Sequence, residues 1–98
     1  MEYIKVYWMH DFIDEPIILY SELDEKRFEV RKIEIYRNNR IGYATYDISV
    51  NDTYLSEFPI PEIIEINVDK QFMASKISKR EFEDIWINII KIEGKFWK

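Results

Sequence analysis

The chain has one histidine, His10, and carboxylates that could assist it in chemistry stand close by. Asp11 follows it directly, and Asp14 and Glu15 come a few residues later. A histidine beside carboxylates at a strand end can act as a general base, and the same oxygen-rich group can hold a divalent cation. A small enzyme or ligand-binding domain centred on His10 is therefore one interpretation.

Three features weigh against that interpretation. A single histidine in a chain without cysteine leaves a transition-metal site short of nitrogen and sulfur ligands. Acids are common at turns, because turns are solvated and Asp hydrogen-bonds its own backbone. No serine, cysteine or lysine motif supplies a nucleophile with a matched base. We therefore predict a protein that is not an enzyme and has no catalytic residue, metal or cofactor.

Composition argues against other classes of function. The two glycines, Gly42 and Gly94, are too few for a loop that cradles phosphate. A net charge of −5 disfavours nucleic-acid binding, which rewards clustered Lys and Arg. The sequence shows neither an apolar run long enough for a membrane span nor the apolar region of a signal peptide. The expected protein is cytoplasmic and binds neither nucleic acid nor membrane.

All of the net charge lies near the histidine. Residues 1–29 carry eight acids and three bases, whereas residues 30–98 carry eleven of each. An uneven charge distribution of this kind concerns which partners a protein attracts rather than how it folds. It favours a basic partner for the first third of the chain.

The first half of the chain has the pattern of a strand meander. Apolar patterning predicts strands over residues 3–10, 28–37 and 41–46. A nearly continuous apolar run predicts a more central strand over residues 17–21. A change of apolar phase at Arg31 and Lys32 predicts a β-bulge. Asn38 and Asn39 predict a two-residue hairpin turn, because Asn tolerates the left-handed conformation. Gly42 indicates a bulge or a close approach of two segments.

The sequence of the second half of the chain has the pattern of two helices. Pro61 can open a short helix through residue 67. Ser78 begins a capping box before the longer helix. The apolar face of this helix is expected to consist of Phe82, Ile85, Trp86, Ile89, Ile90 and Ile92. Gly94 is the expected stop, and Trp97 either folds back or stays exposed. The predicted fold is a single α+β domain over residues 1–98, an antiparallel sheet of about four strands packed by a C-terminal helix and a shorter preceding helix.

The opening of the chain resembles a family of small uncharacterised bacterial domains with the pattern W-x-H-x-F-x-D-E-P followed by Y-S-E-L-D. The pattern falls on Trp8, His10, Phe12, Asp14, Glu15, Pro16, Tyr20, Ser21, Glu22, Leu23 and Asp24. The resemblance continues at Glu29, Arg31, Glu34, Ile41, Gly42, Tyr43, Ile66, Asn67, Ile77 and Ser78. It implies no catalytic residue. Such domains are similar in context to immunity proteins of bacterial toxin systems.

Some residues of this pattern have structural explanations as well as functional ones. Asp14, Glu15 and Pro16 suit a turn, and Glu22 and Arg31 are placed to form a salt bridge across neighbouring strands. Both explanations stay open at this point.

Charge and resemblance together predict a non-enzymatic bacterial immunity protein. It would bind and neutralise a cognate toxin with a basic surface, a nuclease being one candidate. Two acidic loops, one at each end of the second strand, supply the charges. The expected contact residues are Asp11, Asp14, Glu15, Glu22, Asp24 and Glu25, with Tyr7 and Trp8 as aromatic anchors. The oligomeric state is left open.

Overall fold

The structure is a computed structural model that describes the backbone of residues 1–96 and the side chains of residues 1–91. Its elements in chain order are β1 (Glu2–Trp8), β2 (Ile18–Leu23), β3 (Glu29–Ile35), β4 (Ile41–Ala44), β5 (Ser49–Val50), α1 (Ile63–Ile66), β6 (Phe72–Ile77) and α2 (Lys79–Phe96). The strands pair antiparallel in the order β5-β4-β3-β2-β1-β6. The α+β class and the antiparallel sheet are as predicted, but this part of the chain has six strands rather than four.

The two strands that the prediction missed lie at the edges of the sheet. β6 pairs with β1 along its whole length, from Tyr3 opposite Ile77 to Trp8 opposite Phe72. Its residues do not alternate cleanly between apolar and polar types, and its partner is distant in sequence. β5 has only two residues, which is too short for an alternation to be visible.

Two hairpins share one loop geometry. In the β3–β4 connection the Tyr36 N–H donates to Arg40 O and the Asn39 N–H donates to Tyr36 O, both at 2.9 Å. The loop therefore has three residues rather than the predicted two, and only Asn39 has a positive φ, of 68°. This is the common three-residue hairpin, a tight turn closed by a residue in the left-handed conformation. The β2–β3 loop repeats it with Arg27 at φ 69°.

β3 contains a β-bulge, as predicted, but one residue earlier than the predicted position at Arg31 and Lys32. Glu22 of β2 lies opposite Arg31, but the next residue, Leu23, lies opposite Glu29, so Val30 is the extra residue. The shift reverses which face of the sheet the following residues occupy. It places Arg31 beside Glu22 on the face that α2 covers.

Gly42 marks a close approach, which was one of its two predicted roles. A Cβ atom at Gly42 would lie 1.9 Å from the Thr53 Oγ1 and 3.0 Å from the Val50 carbonyl oxygen. Its φ is not positive, so space rather than backbone conformation requires the glycine here.

Helix α2 packs across one face of the sheet. The Ser78 hydroxyl accepts from the Glu81 N–H at 3.0 Å, which confirms the Ser78 half of the predicted capping box. Phe82 and Ile89 are buried against the sheet, whereas Ile90, predicted on the same apolar face, is 42% exposed. The buried members of this core are Tyr3, Tyr20, Ile33, Tyr43, Phe82 and Ile89.

The end of α2 differs from the prediction. The helix runs to Phe96 and passes Gly94, the expected stop. Trp97 and the side chain of Ile92 lie outside the described residues.

The opposite face of the sheet has a thinner cover. Ile4, Val6, Leu23 and Ala74 are buried there against α1 and the segment before it. The helix begins at Ile63 after its N-cap residue Glu62, two residues later than the start predicted at Pro61. The described helices include none that is both long and apolar enough to cross a bilayer.

Arg27 attaches the segment before α1 to the β2–β3 loop. Its Nε donates to the Ile60 carbonyl and one terminal nitrogen donates to the Pro61 carbonyl, each at 2.8 Å. The other terminal nitrogen lies 2.7 Å from a Glu2 carboxylate oxygen. One side chain thus positions the start of α1 over the sheet.

Asn67 covers the free edge of β6. Its Nδ2 donates to the Ala74 carbonyl at 3.0 Å, and its Oδ1 accepts from the Ala74 N–H at 2.6 Å. A side-chain amide therefore occupies two backbone groups that another strand would otherwise pair with.

Candidate functional site

The β1–β2 loop, residues 9–17, is held in one conformation by the ring of His10. The Nε2 lies 2.8 Å from the Pro16 carbonyl oxygen and the Nδ1 lies 2.9 Å from the Phe12 backbone nitrogen. A carbonyl needs a donor and an N–H needs an acceptor, so these partners assign the neutral tautomer protonated at Nε2. Both ring nitrogens are thus engaged inside the loop, an arrangement that suits positioning better than proton transfer.

Arg37 attaches the same loop to the β3–β4 hairpin. Its guanidinium donates to the His10 carbonyl at 2.6 Å and to the Phe12 carbonyl at 3.3 Å. The loop is therefore tied at its base by its own histidine and from the side by a neighbouring hairpin. Arg37 therefore contacts backbone carbonyls of the loop rather than the carboxylates nearby.

The outer part of this loop, residues 11–15, is called the acidic tip below. Asp11, Asp14 and Glu15 are exposed, and no salt bridge to any of them is formed within the described residues. Between them Phe12 is 61% and Ile13 is 85% exposed. Two apolar side chains thus stand among three free carboxylates.

The two predicted aromatic anchors lie in different surroundings. Trp8 supports the loop from below, with its ring centroid 4.3 Å from that of His10 and 5.8 Å from that of Phe72. Its indole N–H is buried and has no acceptor within the described residues. Tyr7 points to the α2 face, is 41% exposed, and has the Lys5 ammonium 4.5 Å from its ring centroid.

Glu22 was predicted to lie in an acidic loop. It lies in β2 instead, where it is 6% exposed. Arg31 donates to both of its carboxylate oxygens, at 2.6 and 2.9 Å, which is the predicted cross-strand salt bridge. The Tyr3 hydroxyl donates a third bond at 2.8 Å. The Arg31 hydrogen bonds lower the pKa of Glu22, and burial together with Glu22 raises the pKa of Tyr3.

Asp24 and Glu25 lie in the β2–β3 loop, at the opposite end of β2 from the acidic tip. The Asp24 Oδ1 accepts from the backbone N–H groups of Lys26 and Phe28, at 2.9 and 3.0 Å, so this carboxylate closes its own turn. Glu25 is exposed. The two acidic loops are separated by the length of a six-residue strand, about 20 Å.

The structure therefore brings together one part of the predicted site. Asp11, Asp14 and Glu15 share the acidic tip, and Trp8 supports it. Tyr7 lines a surface pocket with His10 and Asp11 at the base of the loop. Glu22, Asp24 and Glu25 lie elsewhere. Phe12 and Ile13 were not among the predicted contacts. Their signal in the sequence is two consecutive apolar residues inside an acidic turn, where solvated residues are expected.

Comparison with known proteins places the chain in a family without assigning it an activity. Neither the curated proteins nor the solved structures contain a match. A family model described as "Domain of unknown function (DUF6881)" matches residues 2–91, a range that includes the acidic tip, the buried Glu22 cluster and most of α2. The chain therefore belongs to the DUF6881 family.

Proposed function

We propose that the protein is a non-enzymatic bacterial immunity protein of the cytoplasm that binds a cognate toxin and neutralises it. The proposed partner has a basic surface, and a nuclease is one candidate. The observation that carries the proposal is the acidic tip, a tethered loop that presents Phe12 and Ile13 among three exposed carboxylates without a salt bridge to any side chain of residues 1–91. Glu22 is not part of the proposed surface, because its carboxylate is buried and paired with Arg31.

The negative charge of the acidic tip supports a partner with a basic surface. Free carboxylates on an exposed loop attract a positively charged surface over a distance of about 10 Å at 0.1 M salt, and such attraction mainly raises the rate of association. In a basic active site, Asp14 and Glu15 would occupy the positions that substrate phosphates or other anions take. The acidic net charge of the chain, −5, acts in the same direction.

The apolar pair supports tight binding. Burying an exposed Phe or Ile side chain contributes about 1.5–3 kcal/mol, and a few well-packed residues near the centre of an interface carry most of the binding energy. The hydrogen bonds of His10 and Arg37 order the loop before binding, which lowers the entropy lost on association. Fixed apolar anchors inside a ring of charge are typical of high-affinity protein interfaces.

The test begins with the proteins encoded beside this chain in its host, from which a basic candidate toxin is expressed and purified. The affinity of the two purified proteins is measured by titration calorimetry, at low and at physiological salt. We expect the double variant Asp14→Lys and Glu15→Lys to weaken binding at least about 100-fold, because it places like charges against the partner. We also expect the salt dependence of its association rate to become shallower.

A matched control changes the net charge by the same amount elsewhere. Glu57→Lys with Asp84→Lys alters two exposed acids away from the tip and should change the affinity by less than about threefold. Equal losses in both double variants would show that only net charge matters and would overturn the proposed site. If no basic protein binds this chain at micromolar concentration, the proposed function fails.

A further inference from the structure

A second feature, separate from the acidic tip, is a cleft between the sheet and α1. Its volume is about 400 Å³, within the range of about 300–1,000 Å³ that is usual for small-molecule sites. The apolar walls are formed by Ile4, Val6, Leu19, Ile60, Ile66 and Phe72. The lining comes from four strands, β1, β2, β3 and β6, and from the segment that carries α1.

One end of the cleft holds a buried carboxylate, that of Glu29, with a side chain 1% exposed. Three donors reach it within the described residues: the Ser21 hydroxyl at 2.8 Å, the Ser56 N–H at 2.7 Å and the Lys32 ammonium at 3.2 Å. The last two reach Oε1, whereas Ser21 alone reaches Oε2. A carboxylate has about four acceptor positions, so Oε2 can accept one more donor.

The charge of the lining favours a cation. Glu29, Glu65 and Asp69 line the cleft together with a single base, Lys32. The Lys32 ammonium already lies 3.2 Å from Glu29 and 3.2 Å from the Tyr54 carbonyl, so it is poorly placed to receive an added anion. The cleft thus combines an apolar body with an acidic end.

We propose that this cleft binds a small molecule with an apolar body and one protonated amine, an alkylammonium or arylalkylammonium compound. The apolar part lies against Val6, Leu19 and Phe72. The ammonium group donates to Glu29 Oε2, a charge-assisted hydrogen bond of the stronger kind. This site does not depend on the proposed protein partner.

The test is a titration of the full chain with hexylamine, 1-hexanol and hexanoate, followed through backbone amide chemical shifts. We expect hexylamine to give saturable shifts at Leu19, Ile66 and Phe72, and to bind about tenfold more tightly than 1-hexanol. Hexanoate should not bind at the same concentrations. Shifts confined to the acidic tip, equal binding of hexanoate, or no saturable shift would each overturn the proposal.

Two pairs of variants locate the site. Leu19→Trp fills the cleft and should abolish hexylamine binding, whereas Ile64→Trp, at a position of α1 that is 79% exposed, should leave it unchanged. If Leu19→Trp does not fold, Glu65→Gln at the exposed mouth should weaken hexylamine binding about threefold. The matched control Glu57→Gln, outside the cleft, should have no effect. Equal effects within either pair would contradict the assignment.

Discussion

Arg31 joins the sheet to the terminal helix through one guanidinium group. It donates to both oxygens of Glu22, and its remaining terminal nitrogen lies 2.7 Å from a Glu83 carboxylate oxygen of α2. The same group lies 4.9 Å from the ring centroid of Phe82. A single side chain therefore satisfies a buried charge and contacts the aromatic core of the helix.

At this residue scale we expect Arg31→Met to be strongly destabilising. It leaves Glu22 buried without its cation, a change that typically lowers the free energy of unfolding by about 3–5 kcal/mol. Urea denaturation at pH 7 measures the loss. The double variant with Glu22→Gln removes the stranded charge and should recover part of the stability. If the double variant is no more stable than the single one, the loss comes from packing instead.

The stability lost in the Arg31→Met variant should also depend on pH. Because Arg31 lowers the pKa of Glu22 in the folded protein, the unfolded chain takes up the proton first as the pH falls. The stabilisation is complete above the unfolded pKa of about 4.3 and disappears as the pH falls through the lowered folded value. The difference between wild type and Arg31→Met should therefore be larger at pH 7 than at pH 3. An equal difference at both values would contradict this explanation.

At the scale of elements, α2 depends on a defined start. The Ser78 hydroxyl accepts from the Glu81 N–H at 3.0 Å, and the buried Phe82 follows one residue later. We expect Ser78→Ala to lower the free energy of unfolding by about 1 kcal/mol, measured by urea denaturation. Ser78→Asp is the matched control, because Asp also caps helices and should retain most of the stability. A loss of equal size in the control would show that the cap bond is not the cause.

Local patterns in the sequence were sufficient for the elements that are stabilised locally. The cap at Ser78, the bulge in β3 and the first four strands all follow from spacing within a few residues. The partner of β6 is about seventy residues away in sequence, and no local pattern reports such a pairing. The sequence offered two roles for Glu22, a contact charge in an acidic loop and a salt bridge to Arg31 across strands, and only the burial of its carboxylate in the fold decides for the second.

At the scale of the whole molecule, charge and exposure identify different parts of the site. The excess of acids in residues 1–29 predicted the region of the site. Charge alone, however, does not distinguish between the six carboxylates that were predicted as contacts. The fold separates them: Glu22 is buried, Asp24 closes a turn, and Asp11, Asp14 and Glu15 are exposed on the acidic tip. Exposure of Phe12 depends on how the loop is tied to Arg37, which only the three-dimensional arrangement reveals.

The amide of Asn67 has a consequence for how the protein behaves when it is concentrated. Without it, the N–H and carbonyl of Ala74 would face solvent and could recruit a strand from another molecule, the first step of open-ended aggregation. We expect Asn67→Ala to form assemblies whose mass grows with concentration in light scattering. Val68→Ala, at a neighbouring position that is 80% exposed, should behave like wild type. If Asn67→Ala scatters no more than that control at millimolar concentration, the amide has no protective role. If it aggregates, one hydrogen-bonding side chain keeps this acidic protein soluble.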